Sequence, residues 1–217
     1  MPVYLLPDEP VFPPASEAEP DGLIAVGGDF SPARLLNAYA SGIFPWFELD
    51  EEIYWFSPDP RLVLFPPKLK ISPSLSRVMK LSPFEIRFNT AFREVMEQCS
   101  KVPRNHEEGT WISERFIQGY TALHEQGFAH SAEAWSRGRL VGGLYGVAIG
   151  KAFFGESMFY LEPNASKVAF VELVRRLQAA GVEIIDCQVE TEHLKRFGAE
   201  LIPREVYLQE VTRAVNV

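Results

Sequence analysis

Cysteine is nearly absent: the 217 residues contain only Cys99 and Cys187. Two thiols build no disulfide framework, and their placement matches no metal-ligand spacing. A secretory leader is also missing, so a reducing, cytoplasmic setting is expected. No apolar run is long enough to cross a bilayer, which argues against a membrane role. Repeats and low-complexity segments are lacking as well. Basic residues are scarce at the start. Residues 1–60 carry 11 acids and one base, Arg34. Acids are absent between 60 and 84, where five bases fall: Arg61, Lys68, Lys70, Arg77 and Lys80. The net charge of -8 speaks against a nucleic-acid partner, but its distribution does not. The other 157 residues hold 18 acids and 20 bases, so a polyanion is expected to meet this part of the chain.

What is present suits a globular protein. Apolar residues make up 47% and aromatics 12%, enough for a sizeable core in one large domain or a small and a medium one. Residues 1–20, rich in proline and acid, read as an extended arm. A short strand over 22–28 ends in Gly-Gly-Asp. Ser31 and Pro32 then open a helix with Leu35, Leu36 and Tyr39 inward, and Gly42 closes it. Phe44–Phe47 reads as an aromatic loop, in which Trp46 is either a hydrophobic plug or a base-stacking platform. Strands are expected at Ile53–Phe56 and Arg61–Phe65, with a domain boundary near 60–66. A short basic helix follows over Ser72–Leu81, then a strand at Phe84–Phe88 and a helix at Ala91–Ser100. A charged loop, His106–Gly109, leads to Trp111. Ser113–Gln126 is helical, with Phe116, Ile117, Tyr120 and Leu123 on one face. Ala129–Trp135 and Leu140–Ile149 form a hairpin across Arg137-Gly138, continued by Ala152–Phe159. Antiparallel strands followed by a long helical connection predict an α+β fold: a mixed sheet with helices on it.

Residues 153–207 carry the densest chemistry. They read as strand, helix, strand, helix, strand. Phe170, Leu173, Val174 and Leu177 form one apolar stripe on a helix that Asn164 is expected to cap and Gly181 to end. Strand alternation puts Glu156 with Met158 on one face. It puts Asp186 with Gln188 on another, and Cys187 opposite. An aspartate at the end of an apolar strand is costly to bury alone. It is either a satisfied structural pair with Gln188 or a chemical group. Glu156 is likewise either a salt-bridged strand residue or a binding group.

The same stretch carries G-E-S-M, N-A-S-K, I-D-C-Q and F-G-A-x-x-I-P-R. Upstream are G-L-I-A-V-G-G-D-F-S-P-A-R-L-L-x-A-Y (22–39), G-I-F-P-W-F (42–47), W-F-S-P-D-P-R (55–61), E-G-T-W-I (108–112) and L-V-G-G-L-Y-G-V (140–147). In this order, over nearly the whole chain, they resemble the leucyl/phenylalanyl-tRNA–protein transferases. The resemblance implies a small N-terminal domain (1–62) packed on a larger acetyltransferase-like (GNAT) domain (63–217). It implies transfer of leucine or phenylalanine from aminoacyl-tRNA to proteins beginning with arginine or lysine, which marks them for degradation. The ester donor is already activated, so neither ATP nor a metal is implied. By the resemblance, Asp186 and Gln188 stand at the reaction centre, with Asp186 either base or anchor. Leu144, Phe153, Met158, Phe170, Leu173, Leu177 and Ile185 match the side-chain pocket, and methionine suits a wall that accepts several apolar side chains. Glu156, beside this pocket, is expected to hold either the α-ammonium of the donor amino acid or the basic residue of the acceptor. Trp46, Trp111 and Tyr120 match positions around the terminal adenosine. Lys68, Lys70, Arg77 and Lys80 form the expected tRNA-phosphate patch, although Pro73 and Leu81 stand where relatives often carry arginine. A monomer is expected.

Two other readings compete. An acyl-CoA-dependent N-acyltransferase on the same fold would use R/Q-x-x-G-x-G/A for pyrophosphate; Arg139-Leu-Val-Gly142-Gly-Leu144 meets the first two positions and fails the last. A non-catalytic RNA-binding module would explain the bases and aromatics but not the Asp186–Gln188 pair.

Overall fold

The computed structural model describes residues 3–81, 83–102 and 112–216. Two sheets organise the chain. The smaller has four strands, β1 (Tyr4–Leu5), β2 (Leu23–Val26), β3 (Phe44–Leu49) and β4 (Glu52–Phe56), in the order β1-β2-β4-β3. Helix α1 (Pro32–Ala40) connects β2 to β3. Ser31 caps α1 by accepting from the Arg34 amide, and Pro32 sits where no amide donor is needed. The segment expected to be an aromatic loop is therefore strand β3. A register shift between Pro45 and Phe47 absorbs the proline. The N-terminal arm is held by the buried Arg34, whose Nη2 donates to the carbonyls of Pro7 and Asp8.

The rest of the chain runs β5 (Arg61–Leu64), α2 (Pro73–Leu81), β6 (Glu85–Phe88), α3 (Phe92–Cys99) and α4 (Glu114–Glu125). Strands β7 (Ala129–Ser136), β8 (Arg139–Ile149) and β9 (Ala152–Tyr160) follow. Then come α5 (Ala165–Ala179), β10 (Ile184–Asp186), α6 (Glu192–Lys195), β11 (Glu200–Ile202) and α7 (Arg204–Val215). The larger sheet has the order β11-β5-β10-β9-β8-β7-β6. Within this sheet, among the described residues, only β9 and β10 pair in parallel; α5 forms the crossover between them. The fold is α+β with a mixed sheet. β4 and β5, adjacent in sequence, belong to different sheets.

Alternation along the strands splits the core in two. Phe154, Ile184 and Val63 join the side that also contains α3, α4, α7 and the smaller sheet. Phe153, Ile185, Leu62 and Leu64 join the side covered by α5. The stripe expected on α5 is there, but Asn164 makes no side-chain cap. Its backbone is left-handed (φ 70°), and its carbonyl accepts from Val168 instead.

Two features open a cavity between β9 and β10. Strand β10 stops at Asp186, opposite Phe154, whereas β9 continues to Tyr160. The β8–β9 ladder also slips between Tyr145 and Gly146, so Tyr145 faces Ser157 while Gly146 faces Gly155. Glu156 is the extra residue. This bulge needs Gly146, because a Cβ there would lie 2.2 Å from the Phe154 carbonyl and 2.6 Å from the Phe153 ring. Replacing Gly146 by alanine is expected to destabilise the protein by about 1–3 kcal/mol through overpacking. Urea unfolding of the variant against the parent protein measures it.

Candidate active site

The cavity has a volume of about 300 Å³ and is mostly apolar. Leu144, Phe153, Met158, Phe170, Leu173, Leu177 and Ile185, all expected at a side-chain pocket, line it together. Trp46 lies at its wall, half-buried and packed edge-on against Phe56. Trp111 lies outside the described residues, as do His106–Gly109. Tyr120, expected near an adenosine, does not line the cavity. It is fully buried and stacked on Phe116, so no base can reach its face.

Asp186 is not a lone carboxylate. Its Oδ1 accepts from Arg61 Nε at 2.9 Å and from the Gln188 amide at 2.8 Å. Its Oδ2 accepts from Arg61 Nη2 at 2.7 Å and from the Tyr207 hydroxyl at 2.8 Å. Arg61 itself lies between the Phe44 and Tyr207 rings, 4.6 Å from each centroid. Burial lowers the tendency of Arg61 to stay charged, but Asp186 and its hydrogen bonds reverse this and raise its pKa. Burial, first of all, raises the Tyr207 phenol well above its usual value, so Tyr207 donates as a neutral group.

Gln188 stands just past β10 in a left-handed conformation (φ 62°). Three bonds hold its neighbourhood: its amide to Asp186, its carbonyl to the Leu62 amide at 3.1 Å, and the Cys187 amide to the Leu62 carbonyl at 2.9 Å. The Gln188 side chain does not follow Asp186. Its Nε2 donates to Glu156 Oε1 at 2.7 Å. The break in alternation also brings Cys187 to the cavity wall. Burial pushes the Cys187 thiol above its usual range, so it stays protonated.

Glu156 is the hub of the second network. Tyr39 donates to its Oε1 at 2.7 Å and Tyr120 to its Oε2 at 3.2 Å, and the two phenols also touch each other. Burial pushes the Glu156 carboxyl up to about 8, against the pull of Tyr39 and Tyr120 hydrogen bonds. Cys187, His193, Thr191 and Leu194 also line the cavity and carried no expected role. Nor did Arg61, Tyr207 and Tyr39. A buried aspartate demands a cation; Arg61 closes W-F-S-P-D-P-R and Tyr207 lies three residues past I-P-R, but no local pattern joins them.

The expected basic patch is partly spent. Lys68 pairs with Glu200 at 2.5 Å and lies over the Phe65 ring. Lys70, Arg77 and Lys80 are exposed, the last two on α2. Arg139–Leu144 lies in β8, where Gly142 and Gly143 are paired on both sides. A Cβ on Gly142 would already lie 2.5 Å from Ala165, so there is no room there for a pyrophosphate.

Comparison with known proteins places this geometry. The sequence profile described as "Leucyl/phenylalanyl-tRNA protein transferase" matches residues 63–212. The profile of that family's N-terminal domain matches residues 28–59. A leucyl/phenylalanyl-tRNA–protein transferase of Myxococcus xanthus is 56% identical over 100% of this chain and 93% of the relative. One from Anaeromyxobacter sp. (strain K) is 53% identical, with the same coverage. A solved structure described as "The structure of L-PGS from Bacillus licheniformis" aligns at 9% identity with a TM-score of 0.42. That alignment covers 78% of this chain and 54% of the other, a likeness too low to inform fold or function. The class these findings define is an enzyme, an aminoacyltransferase. The chain belongs to the leucyl/phenylalanyl-tRNA–protein transferase family.

The Glu156 carboxyl has a consequence for stability. Its folded pKa, about 8, exceeds the ordinary carboxyl value of 4.5. Between these values the folded protein holds a proton that the unfolded chain releases. Stability is therefore greatest near or below pH 4.5 on this account and is lost as pH rises through about 8. The slope contributed is at most about 1.4 kcal/mol per pH unit. Glu156→Gln is expected to remove it, as seen in urea midpoints compared at pH 5, 6.5 and 8.

Proposed function

We propose that the cavity takes the leucyl or phenylalanyl side chain of an aminoacyl-tRNA, and that the acyl group passes to a protein beginning with arginine or lysine. The product would carry a new N-terminal residue that marks it for degradation. The observation that carries this reading is an apolar cavity with one polar wall, formed by Glu156 and Gln188. Methionine is a further acceptable donor, because Met158 and the aliphatic wall discriminate apolar side chains weakly. One methylene is worth only about 1–3 kcal/mol in such a pocket.

The reaction is aminolysis of an ester. The acceptor amine attacks the carbonyl carbon, the C–N bond forms, and the bond to the ribose oxygen breaks. That oxygen leaves as a hydroxyl carrying the proton the amine gives up. An α-ammonium has an ordinary pKa of about 7.7–8.0, close to that of Glu156 at about 8. Proton exchange between them is nearly even, so Glu156 serves as the group that receives the ammonium. Gln188 presents its amide group to the same place. Asp186 has its four acceptor directions filled by Arg61, Tyr207 and the Gln188 amide. It is read here as the anchor of Gln188, not as a base. Trp46, at the cavity wall, stacks the terminal adenosine, together with Trp111. Lys70, Arg77 and Lys80 meet phosphates of the tRNA body, with Lys68 a weaker contributor. No cofactor is needed. We also assign a small N-terminal domain and a catalytic, acetyltransferase-like domain, with the boundary drawn ahead of the expected 62/63 because Arg61 and Leu62 pair in the larger sheet as part of β5. The supporting feature is the parallel pair β9–β10, in which β10 stops at Asp186 beside the cavity while β9 runs on to Tyr160. The protein is read as a monomer acting in the cytoplasm.

Transfer from leucyl-tRNA to an arginine-starting peptide tests the reaction; acetyl-CoA in place of the donor should give none. With Asp186→Ala, turnover is expected to fall about 100-fold, the scale of a misplaced catalytic group, while the pH–rate profile keeps its shape. Loss of the acidic limb of that profile would make Asp186 the base instead. Met158→Trp should abolish phenylalanine transfer and impair leucine transfer, measured with both charged tRNAs.

A further inference from the structure

A second hollow lies beside the cavity and shares Met158 and His193 with it. Its walls come from the end of β9, the start of α5 and the end of α3. Lys101 and Lys167 line it, and among the described residues no acid does, in a chain with 29 acids. Neither lysine makes an ion pair among the described residues. Tyr160 is 67% exposed at its edge, followed by Leu161 at 64%. His193 lines both hollows, and its buried Nε2 has no hydrogen-bond partner among the described residues. Burial, with Lys167 and Arg196 nearby, lowers the imidazole pKa, so it is a neutral hydrogen-bonding group at pH 7.

Resting on the function proposed above, we infer that this hollow is a subsite for single-stranded RNA, holding the nucleotides that precede the terminal adenosine of the donor. Three observations support it. The hollow adjoins the donor cavity, with Met158 and His193 lining both. Its cations suit phosphates and repel an acceptor that begins with arginine or lysine. An exposed tyrosine beside a cationic groove is the arrangement that holds unpaired nucleotides, with stacking worth about 1–3 kcal/mol per base. His193 Nε2 is placed to meet a ribose hydroxyl where the strand enters the cavity.

The test compares leucyl-adenosine, a leucyl-CCA trinucleotide and leucyl-tRNA as donors. The variants are Tyr160→Ala and the double variant Lys101→Ala/Lys167→Ala; all three side chains lie at the surface, and melting curves check folding. Each variant is expected to raise KM for leucyl-CCA about tenfold and to leave leucyl-adenosine unchanged. The double variant should also flatten the log–log salt dependence by about 1–1.5, at about 0.7 per contact on a single strand. Equal losses on all donors, or none on any, overturn the proposal. A rise confined to the KM of the acceptor peptide overturns it too and makes the hollow a peptide path. If the parent protein transfers from no donor, the function reading fails separately. The subsite is then judged by binding of the uncharged CCA trinucleotide. About tenfold weaker binding by the double variant sustains it, and equal binding overturns it.

Discussion

The buried pair of Arg61 and Asp186 is the constraint on which the site depends. Two charges taken out of water repay their desolvation only through close geometry and full hydrogen bonding. Here the geometry is bidentate, Tyr207 and the Gln188 amide fill the two remaining acceptor directions of Asp186, and two aromatic rings enclose the guanidinium. The pair joins β5, β10, α7 and β3. A buried ion pair contributes little net stability, because hydrophobic groups of equal size pack as well. Its worth is positional: it holds the chain leaving β10 in one place.

That placement explains the left-handed step at Gln188. The Gln188 amide is drawn to Asp186 and its carbonyl to Leu62, so the side chain turns away from the strand and toward Glu156. Strand β9 contributes its own irregularity, the bulge at Glu156. Two departures from regular sheet geometry, one on each parallel neighbour, thus bring two polar side chains together at the wall of an apolar cavity. Regular strands would have put both residues into a ladder with no space between them.

Local pattern accounts for most of what the sequence disclosed. Periodicity found α1, α4 and α5, the turn at Arg137-Gly138 found the β7–β8 hairpin, and the apolar stripe on α5 found Phe170, Leu173, Val174 and Leu177 of the cavity wall. Alternation failed at Glu156 and after Asp186, because a bulge and a strand end both break the period of two. Phe44–Phe47 looked like a loop because proline and bulky rings hide an edge strand. Arg61 escaped notice for another reason. Its partner is 125 residues away, and no short-range rule reports such a pairing. Periodicity puts Tyr39 and Tyr120 inward, as found, although the resemblance also sets Tyr120 beside the adenosine, which its burial does not allow; core packing gives no hint that both hydroxyls converge on one carboxyl.

That convergence bears on how such a protein changes over evolutionary time. Glu156 takes one hydrogen bond from α1, one from α4 and one from the turn after β10. The first of these elements belongs with the smaller sheet, the others with the larger. An exchange that gave the larger sheet a foreign N-terminal unit would replace Phe44, Pro45 and Trp46 at the cavity wall and also deprive the carboxyl of a donor. The two portions are therefore expected to descend as a single heritable unit, not to recombine as interchangeable modules.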